Sequence, residues 1–157
     1  MKHASIAWLA VACLVSATNA LAQGSPAPAG PPAATCPATG SELPLEALFG
    51  SWDARFDGLP GVARVQLAKH PDYEGVRGTI TRDGDAAVPA SVAQLAGDID
   101  ADGMLSLDES KDGHAISGVW LGELQPASCG TEFKGVWRNA ADDSTRPFVL
   151  NKAGHRP

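Results

Sequence analysis

The sequence predicts an all-β domain, an antiparallel up-and-down meander of about eight strands in a closed or nearly closed barrel. Three observations support this fold. Apolar and polar residues alternate along most of the chain after residue 50, turn residues separate the alternating runs, and glycines recur at one position relative to large apolar residues. A β-sandwich shares the first two features and is the alternative.

The alternation has a period of two, which is typical of strands with one packed and one solvated face. Trp52, Ala54 and Phe56, for example, alternate with charged residues. Turn signals such as Asp-Gly and His-Pro-Asp lie between the runs. The predicted strands are 52–57, 62–69, 76–82, 91–100, 104–110, 115–124, 131–139 and 146–152, after a helical turn at 44–49. The fourth strand has a helical alternative, because Val88, Val92 and Leu95 also have helical spacing.

The repeated glycines favour the barrel over the sandwich. Glycine stands two places before a large apolar residue, on the same strand face, in five segments: 50–52, 78–80, 97–99, 118–120 and 135–137. Glycine inside a strand marks a bend or a close approach, and a bulky neighbour can cover the gap. A flat sandwich needs such positions less often than a curved barrel.

The N-terminal region is predicted to be a secretory signal, residues 1–22, followed by a linker, residues 23–40, and a single β-barrel domain, residues 41–157. A basic start, an apolar run and Ala20-Leu21-Ala22 before the cut fit export, with the periplasm as the expected location. Secretion, or a lipid anchor on Cys13, is the alternative. The linker is rich in Pro and Ala and offers little to bury.

Charge and cysteine content narrow the classes of partner. Removing the signal takes away one lysine and no acid, so the net charge becomes 11 − 18 = −7. An acidic domain argues against nucleic acid or an anionic membrane as partner, and no transmembrane segment is predicted in the mature chain. Cleavage leaves Cys36 and Cys129, which we expect to form one disulfide in an oxidising compartment.

One resemblance accompanies this pattern. A helical turn that leads into Gly50-Ser51-Trp52 on the first strand, followed by a meander of about eight strands, resembles the lipocalin and avidin group of calycin-type barrels. The resemblance covers the mature domain in outline and implies a barrel fold. The G-x-W motif recurs three times, and no further lipocalin motif or biotin-site pattern accompanies it.

No catalytic signature is present, so the protein is predicted not to be an enzyme. Two function classes stay open. In the first, a binding module holds a small apolar or amphipathic molecule, and Trp52, Trp120 and Trp137 line the cavity rather than fill the core. In the second, a protein-interaction domain, such as an inhibitor or envelope accessory factor, uses an outer patch. A filled barrel with exposed Val119, Leu121 and Val136 would favour the second.

The segment DIDADGMLSLDE, residues 98–109, matches the EF-hand calcium pattern. Its candidate ligands are Asp98, Asp100, Asp102, the Met104 carbonyl, Ser106 and Glu109. An EF-hand needs a helix after Glu109, whereas Asp112-Gly113 and a strand pattern follow. We therefore predict a hairpin with a three-residue connection at 101–103, which places Ile99 opposite Leu105. Calcium is the one cofactor that the sequence suggests, and no other is predicted.

Overall fold

The structure is a computed structural model that describes residues 36–84 and 89–154. Eight strands form its framework: β1 (Gly50–Phe56), β2 (Ala63–Lys69), β3 (Val76–Arg82), β4 (Ser91–Ile99), β5 (Met104–Ser110), β6 (Gly118–Leu124), β7 (Glu132–Asn139) and β8 (Thr145–Lys152). Three 3₁₀ helices accompany them: η1 (Gly40–Glu42), η2 (Leu45–Leu48) and η3 (Pro126–Ser128). The predicted signal peptide and most of the predicted linker lie outside the described residues.

Every strand pairs antiparallel with its sequence neighbour, and β1 pairs with β8, so the meander closes. In that closing pair Ala54 lies opposite Leu150. The structure confirms the predicted all-β closed barrel over the sandwich. Closure satisfies the backbone of what would otherwise be two edge strands.

Two local expectations can be compared with the structure in detail. The segment with the helical alternative is strand β4, in which Ala93 and Leu95 are buried while Val92 is exposed. The predicted sixth strand began at residue 115, but β6 begins at Gly118. Ile116 has the same strand parity as the buried Trp120, but it precedes the strand and is exposed. The cause is Asp112, whose carboxylate accepts the amides of His114 and Ala115 and holds this segment in a turn.

The inward faces of the strands fill the barrel. Buried apolar side chains come from all eight strands: Trp52, Ala54, Phe56, Ala63, Val65, Leu67, Val76, Ile80, Ala93, Leu95, Leu105, Leu107, Trp120, Leu124, Phe133, Phe148 and Leu150. A Cβ atom at Gly78 would overlap the carbonyl oxygen of Gln66, and one at Gly135 would overlap that of Leu121. These glycines therefore permit close strand approach at curved positions, as the glycine pattern predicted.

The chain itself closes one end of the barrel. Leu48 of η2 is fully buried, and its carbonyl accepts the Trp52 indole N–H at 2.7 Å. The Lys152 ammonium group donates to the carbonyls of Ala47 and Phe49 and lies 4.8 Å from the centre of the Trp52 ring. Burial lowers the pKa of Lys152. The N-terminal helical turns are thus joined to the first and last strands.

A disulfide and a glycine contact hold the same end. Cys36 and Cys129 are bonded, as predicted, across a sequence separation of 93 residues. The bond ties the start of the described chain to the segment before β7. Gly40 of η1 packs so closely on Gly103, in the β4–β5 turn, that a side chain at residue 40 would collide with the Gly103 carbonyl. We call this the closed end.

Candidate ligand-binding site at the open end of the barrel

The other end of the barrel carries no helical turn among the described residues, and we call it the mouth. The connections that follow β1, β5 and β7 reach it, because neighbouring strands run antiparallel. Charged side chains stand here at inward-facing positions: Arg82 at the end of β3, Glu109 near the end of β5 and Arg146 near the start of β8. At the mouth, charged side chains therefore replace apolar ones at inward-facing positions of the strands.

Glu109 is the one charged side chain in the buried core of the described residues, with 1% of its surface exposed. Arg82 donates to both carboxylate oxygens, each at 2.8 Å. The indole N–H groups of Trp120 and Trp137 donate to Oε2 at 3.1 and 3.2 Å. Two-pronged guanidinium bonding and two further donors offset the cost of removing this carboxylate from water.

Aromatic rings surround the ion pair. The Arg82 guanidinium lies 5.2 Å from the centre of the Phe56 ring. Phe56 meets Trp120 edge-on at 4.9 Å and Trp137 at 6.2 Å between ring centres. Gly118 makes room for this arrangement, since a Cβ there would collide with the Trp137 indole. The bonds to Glu109 and these ring contacts fix the half-buried Trp137 ring in one orientation.

Outside this cluster lies a recess of about 220 Å³, lined by Phe56, Leu59, Arg82, Ser91, Glu109, Lys111, Trp137 and Arg146. A smaller recess of about 110 Å³ adjoins it and shares Phe56, Leu59 and Arg82. Apolar rings and an exposed leucine form the floor, and cationic side chains stand at the sides. This combination suits a small amphipathic molecule.

The cations around the recess differ in how they are neutralised. Arg82 is paired with Glu109. Arg146 and Lys111 form no ion pair with any residue in 36–84 or 89–154. Hydrogen bonds from Ser144 chiefly lower the pKa of Asp142 on the neighbouring rim, and the charge of Arg146 adds to that effect.

The three tryptophans proposed from the sequence as ligand-lining residues do not share one cavity. Trp52 is fully buried at the closed end, where it packs on Phe133 with 5.8 Å between ring centres. Trp120 is fully buried beneath the mouth. Trp137 lines the recess. Of the three, Trp137 alone reaches a space that a ligand could enter.

The segment at residues 98–109 forms the predicted hairpin. Asp98 pairs with Ser106 and Ile99 with Leu105. Gly103 takes a positive φ of 82°, and the Asp100 carboxylate accepts the amides of Asp102 and Met104. Glu109 points into the barrel toward Arg82, whereas Asp98 lies on the opposite face of its strand. The candidate calcium ligands are therefore not gathered, and no metal-binding group of three acidic, His or Cys side chains occurs in the described residues.

Sequence reasoning missed Arg82 and Arg146 and gave Glu109 a different role. A signal was present in the strand alternation. Each of the three charged residues lies two positions from a buried apolar residue and so shares its inward parity. The pairs are Arg82 with Ile80, Glu109 with Leu107 and Arg146 with Phe148. Charged residues at inward positions near strand ends indicate a polar barrel end. Which of them meet depends on the stagger of strands around the barrel, and no single strand pattern contains that information.

A separate feature lies on the outer face of β6, β7 and β8. Leu121 lies opposite Val136, and Val136 opposite Pro147, so the three form a row across the strands that we call the outer row. Leu121 is 49% and Val136 43% exposed. Val119, predicted as part of this patch, is only half-exposed.

Comparison with protein families, with curated proteins and with solved structures finds no match for this chain. Within the described residues, no helix has the length and apolar character needed to cross a membrane.

Proposed function

We propose that this protein is a non-catalytic binding protein that holds a small amphipathic ligand in the recess at the mouth. The observation that supports this most directly is the open, ring-lined recess beside Trp137. The lining combines an apolar floor with a few polar groups, which is the usual composition of a small-molecule site.

The filled interior limits where and what the protein binds. The buried side chains of the eight strands occupy the middle of the barrel, so the ligand stays at the mouth rather than inside. A volume of about 220 Å³ is below the range of about 300–1,000 Å³ for drug-sized ligands. We therefore propose a ligand of about one ring with a short polar group, or a protruding group of that size on a larger molecule.

The bonding of Glu109 supports a binding role over a catalytic one. Both of its oxygens accept hydrogen bonds, from one guanidinium group and two indoles. A general base must be free to take a proton from a substrate within hydrogen-bond reach, and this carboxylate is fully occupied. Its role in the proposal is to hold Arg82 and Trp137 in place.

Fluorescence titration tests the proposed site. 2-Phenylethanol, a neutral molecule with one ring, should change the emission of the mature protein because it would contact the Trp137 indole. Trp137→Phe should lose most of that change. Trp52→Phe is the matched control, since Trp52 lies at the closed end, and this variant should keep it. Emission that stays unchanged with 2-phenylethanol and with its charged one-ring analogues, or a change that survives in Trp137→Phe, contradicts the proposal.

Protein binding through the outer row is the second candidate, and the filled barrel together with the exposed Leu121 and Val136 favours it. Contiguous exposed apolar side chains are a feature of interaction surfaces. Under this candidate, Val136→Lys should abolish co-purification of a partner. Arg64→Gln, an exposed change on a different strand, should not. Equal recovery of the partner with both variants would exclude the outer row as its binding surface.

The proposal includes export, with the periplasm as the location. The Cys36–Cys129 disulfide is compatible with an oxidising compartment. Intact mass of the protein from a periplasmic fraction tests this, and the expected mature chain begins at Gln23 with two fewer hydrogens than its reduced form. A lipid-modified chain beginning at Cys13, or a protein found with free thiols in the cytosol, would contradict it.

A further inference from the structure

Building on the proposed function, we infer that the recess selects a ligand with a single negative charge, a small monocarboxylate, and that Arg146 and Lys111 recognise it.

The four charged side chains that line the recess divide into two pairs with different tasks. Arg82 and Glu109 neutralise each other through two hydrogen bonds of 2.8 Å. Arg146 and Lys111 line the same recess with no carboxylate partner in residues 36–84 or 89–154. The local excess of positive charge contrasts with the net charge of −6 for the whole chain. A carboxylate in the recess could pair with Arg146 and Lys111.

The apolar lining determines the rest of the ligand. The Trp137 ring is held by its bond to Glu109 and presents a fixed wall, while Phe56 and Leu59 complete the floor. At about 30 Å³ for each water molecule, the recess holds about seven waters. One aromatic ring with a short acid group would fill it.

The rim argues against ligands with more than one negative charge. Asp83 lines the adjoining recess, and Asp142 lies in the β7–β8 connection near Arg146. An exposed aspartate is ionised at neutral pH, and hydrogen bonds from Ser144 lower the pKa of Asp142 further. A second negative charge on the ligand would meet these carboxylates, and like charges at short distance repel.

The test compares ligands that share one ring and differ in headgroup: phenylacetate, 2-phenylethanol, 2-phenylethylamine and phenylmalonate. We expect phenylacetate to bind about two- to fivefold more tightly than the alcohol, as a partly exposed ion pair would give, and the amine and the dianion to bind more weakly than phenylacetate. High salt should reduce the preference. Phenylacetate binding no tighter than 2-phenylethanol, or weaker than phenylmalonate, would overturn the inference.

Two variants test which residues cause the preference for phenylacetate over the alcohol. Arg146→Gln should bring the ratio of the phenylacetate and alcohol affinities down to about one. Lys111→Gln, at an exposed position that folding tolerates, should give a smaller shift in the same direction. Arg64→Gln is the control, because Arg64 pairs with Asp53 on the outer surface. A preference that survives in both mouth variants would overturn the assignment.

The outcomes separate the two proposals. If the alcohol binds beside Trp137 but the acid is not preferred, the proposed function stands and this inference fails. If none of the four compounds binds, the proposed function itself fails.

Discussion

The two ends of the barrel differ in the kind of hydrogen-bond acceptor that they offer to a cation. Each places a cation over an aromatic ring, Lys152 at 4.8 Å from Trp52 at the closed end and Arg82 at 5.2 Å from Phe56 at the mouth. At the closed end, backbone carbonyls of the helical turns accept from the cation. At the mouth, the side chain of Glu109 does. The cation at the closed end is satisfied by chain that folds over it, and the cation at the mouth is satisfied by an internal ion pair.

This difference separates an end at which the tryptophan is covered by chain from one at which a tryptophan lines a recess. The acceptors at the closed end are backbone carbonyls of the helical turn η2. This turn therefore covers Trp52 and leaves no opening beside it. A side-chain acceptor satisfies Arg82 without covering it, and the recess beside Trp137 remains open. Comparing stability and binding after changes at each end tests whether this division of roles is correct.

The largest expected effect comes from Glu109→Leu. It leaves Arg82, whose side chain is 23% exposed, next to the core without its partner and removes the acceptor of two indoles. Breaking a buried ion pair costs about 3–5 kcal/mol. We expect the free energy of unfolding, measured by urea denaturation, to fall by about that amount.

A double variant makes this prediction sharper. Arg82→Met combined with Glu109→Leu removes both charges, and apolar replacement of a buried pair is often close to neutral. It should therefore recover the part of the loss that comes from the unpaired Arg82 charge, while the two indole N–H groups stay without their acceptor. Asp53→Ala, which breaks the exposed pair with Arg64, should cost no more than about 1 kcal/mol. If Glu109→Leu is as mild as Asp53→Ala, the ion pair does not maintain the mouth.

The second prediction concerns the disulfide at the closed end. Replacing Cys36 and Cys129 by Ser should lower the free energy of unfolding by roughly 3–4 kcal/mol, because the bond restricts a long loop in the unfolded chain. Binding of phenylacetate at the mouth should keep its affinity in conditions where the variant is folded. A matched loss of affinity would show that the two ends are not independent.

The third prediction is a smaller loss on Lys152→Met. The variant gives up two hydrogen bonds to η2 and the contact with Trp52, but it also removes a charge that burial disfavours, so we expect a cost of about 1 kcal/mol. Because burial lowers the pKa of Lys152, the unfolded chain binds more protons just below the ordinary value of 10.5. The stability advantage of wild type over the variant should therefore grow as pH rises through that range. A flat difference would contradict this.

Strand alternation made the fold predictable because one face of each strand is buried. All eight predicted strands are present, and the ends differ by at most three residues, the largest shift being at Gly118. That shift arose from Asp112, since a single carboxylate that accepts backbone amides can hold a segment out of a strand. The glycines at inward positions also indicated curvature, because Gly78 lies so close to the Gln66 carbonyl that no side chain would fit there.

The candidate site was far less predictable, for a physical reason. Alternation assigns each residue to a face, and Asp108 and Glu109 accordingly lie on opposite faces of β5. It does not say that Glu109 meets Arg82, which is 27 residues away and two strands across the barrel. The calcium pattern around Glu109 depended on sequence spacing alone, whereas the inward parity of the residue determined its contacts.

The smallest expected effect concerns the β4–β5 turn, which supports the closed end through the contact of Gly103 with Gly40. The Asp100 carboxylate accepts two backbone amides in this exposed turn, at 3.0 and 2.9 Å, so Asp100→Ala should cost about 0.5–1.5 kcal/mol.

Because this carboxylate is already engaged and Glu109 faces the barrel interior, we expect calcium to leave the melting temperature unchanged. Calorimetric titration of the metal-free protein with calcium is the direct measurement. Binding tighter than roughly 10⁻⁴ M that is lost in Asp98→Ala would contradict the hairpin interpretation, since extracellular calcium modules bind at about 10⁻⁴–10⁻³ M. Such binding would require Glu109 to leave Arg82, and the closed end and the mouth would then be coupled through β5.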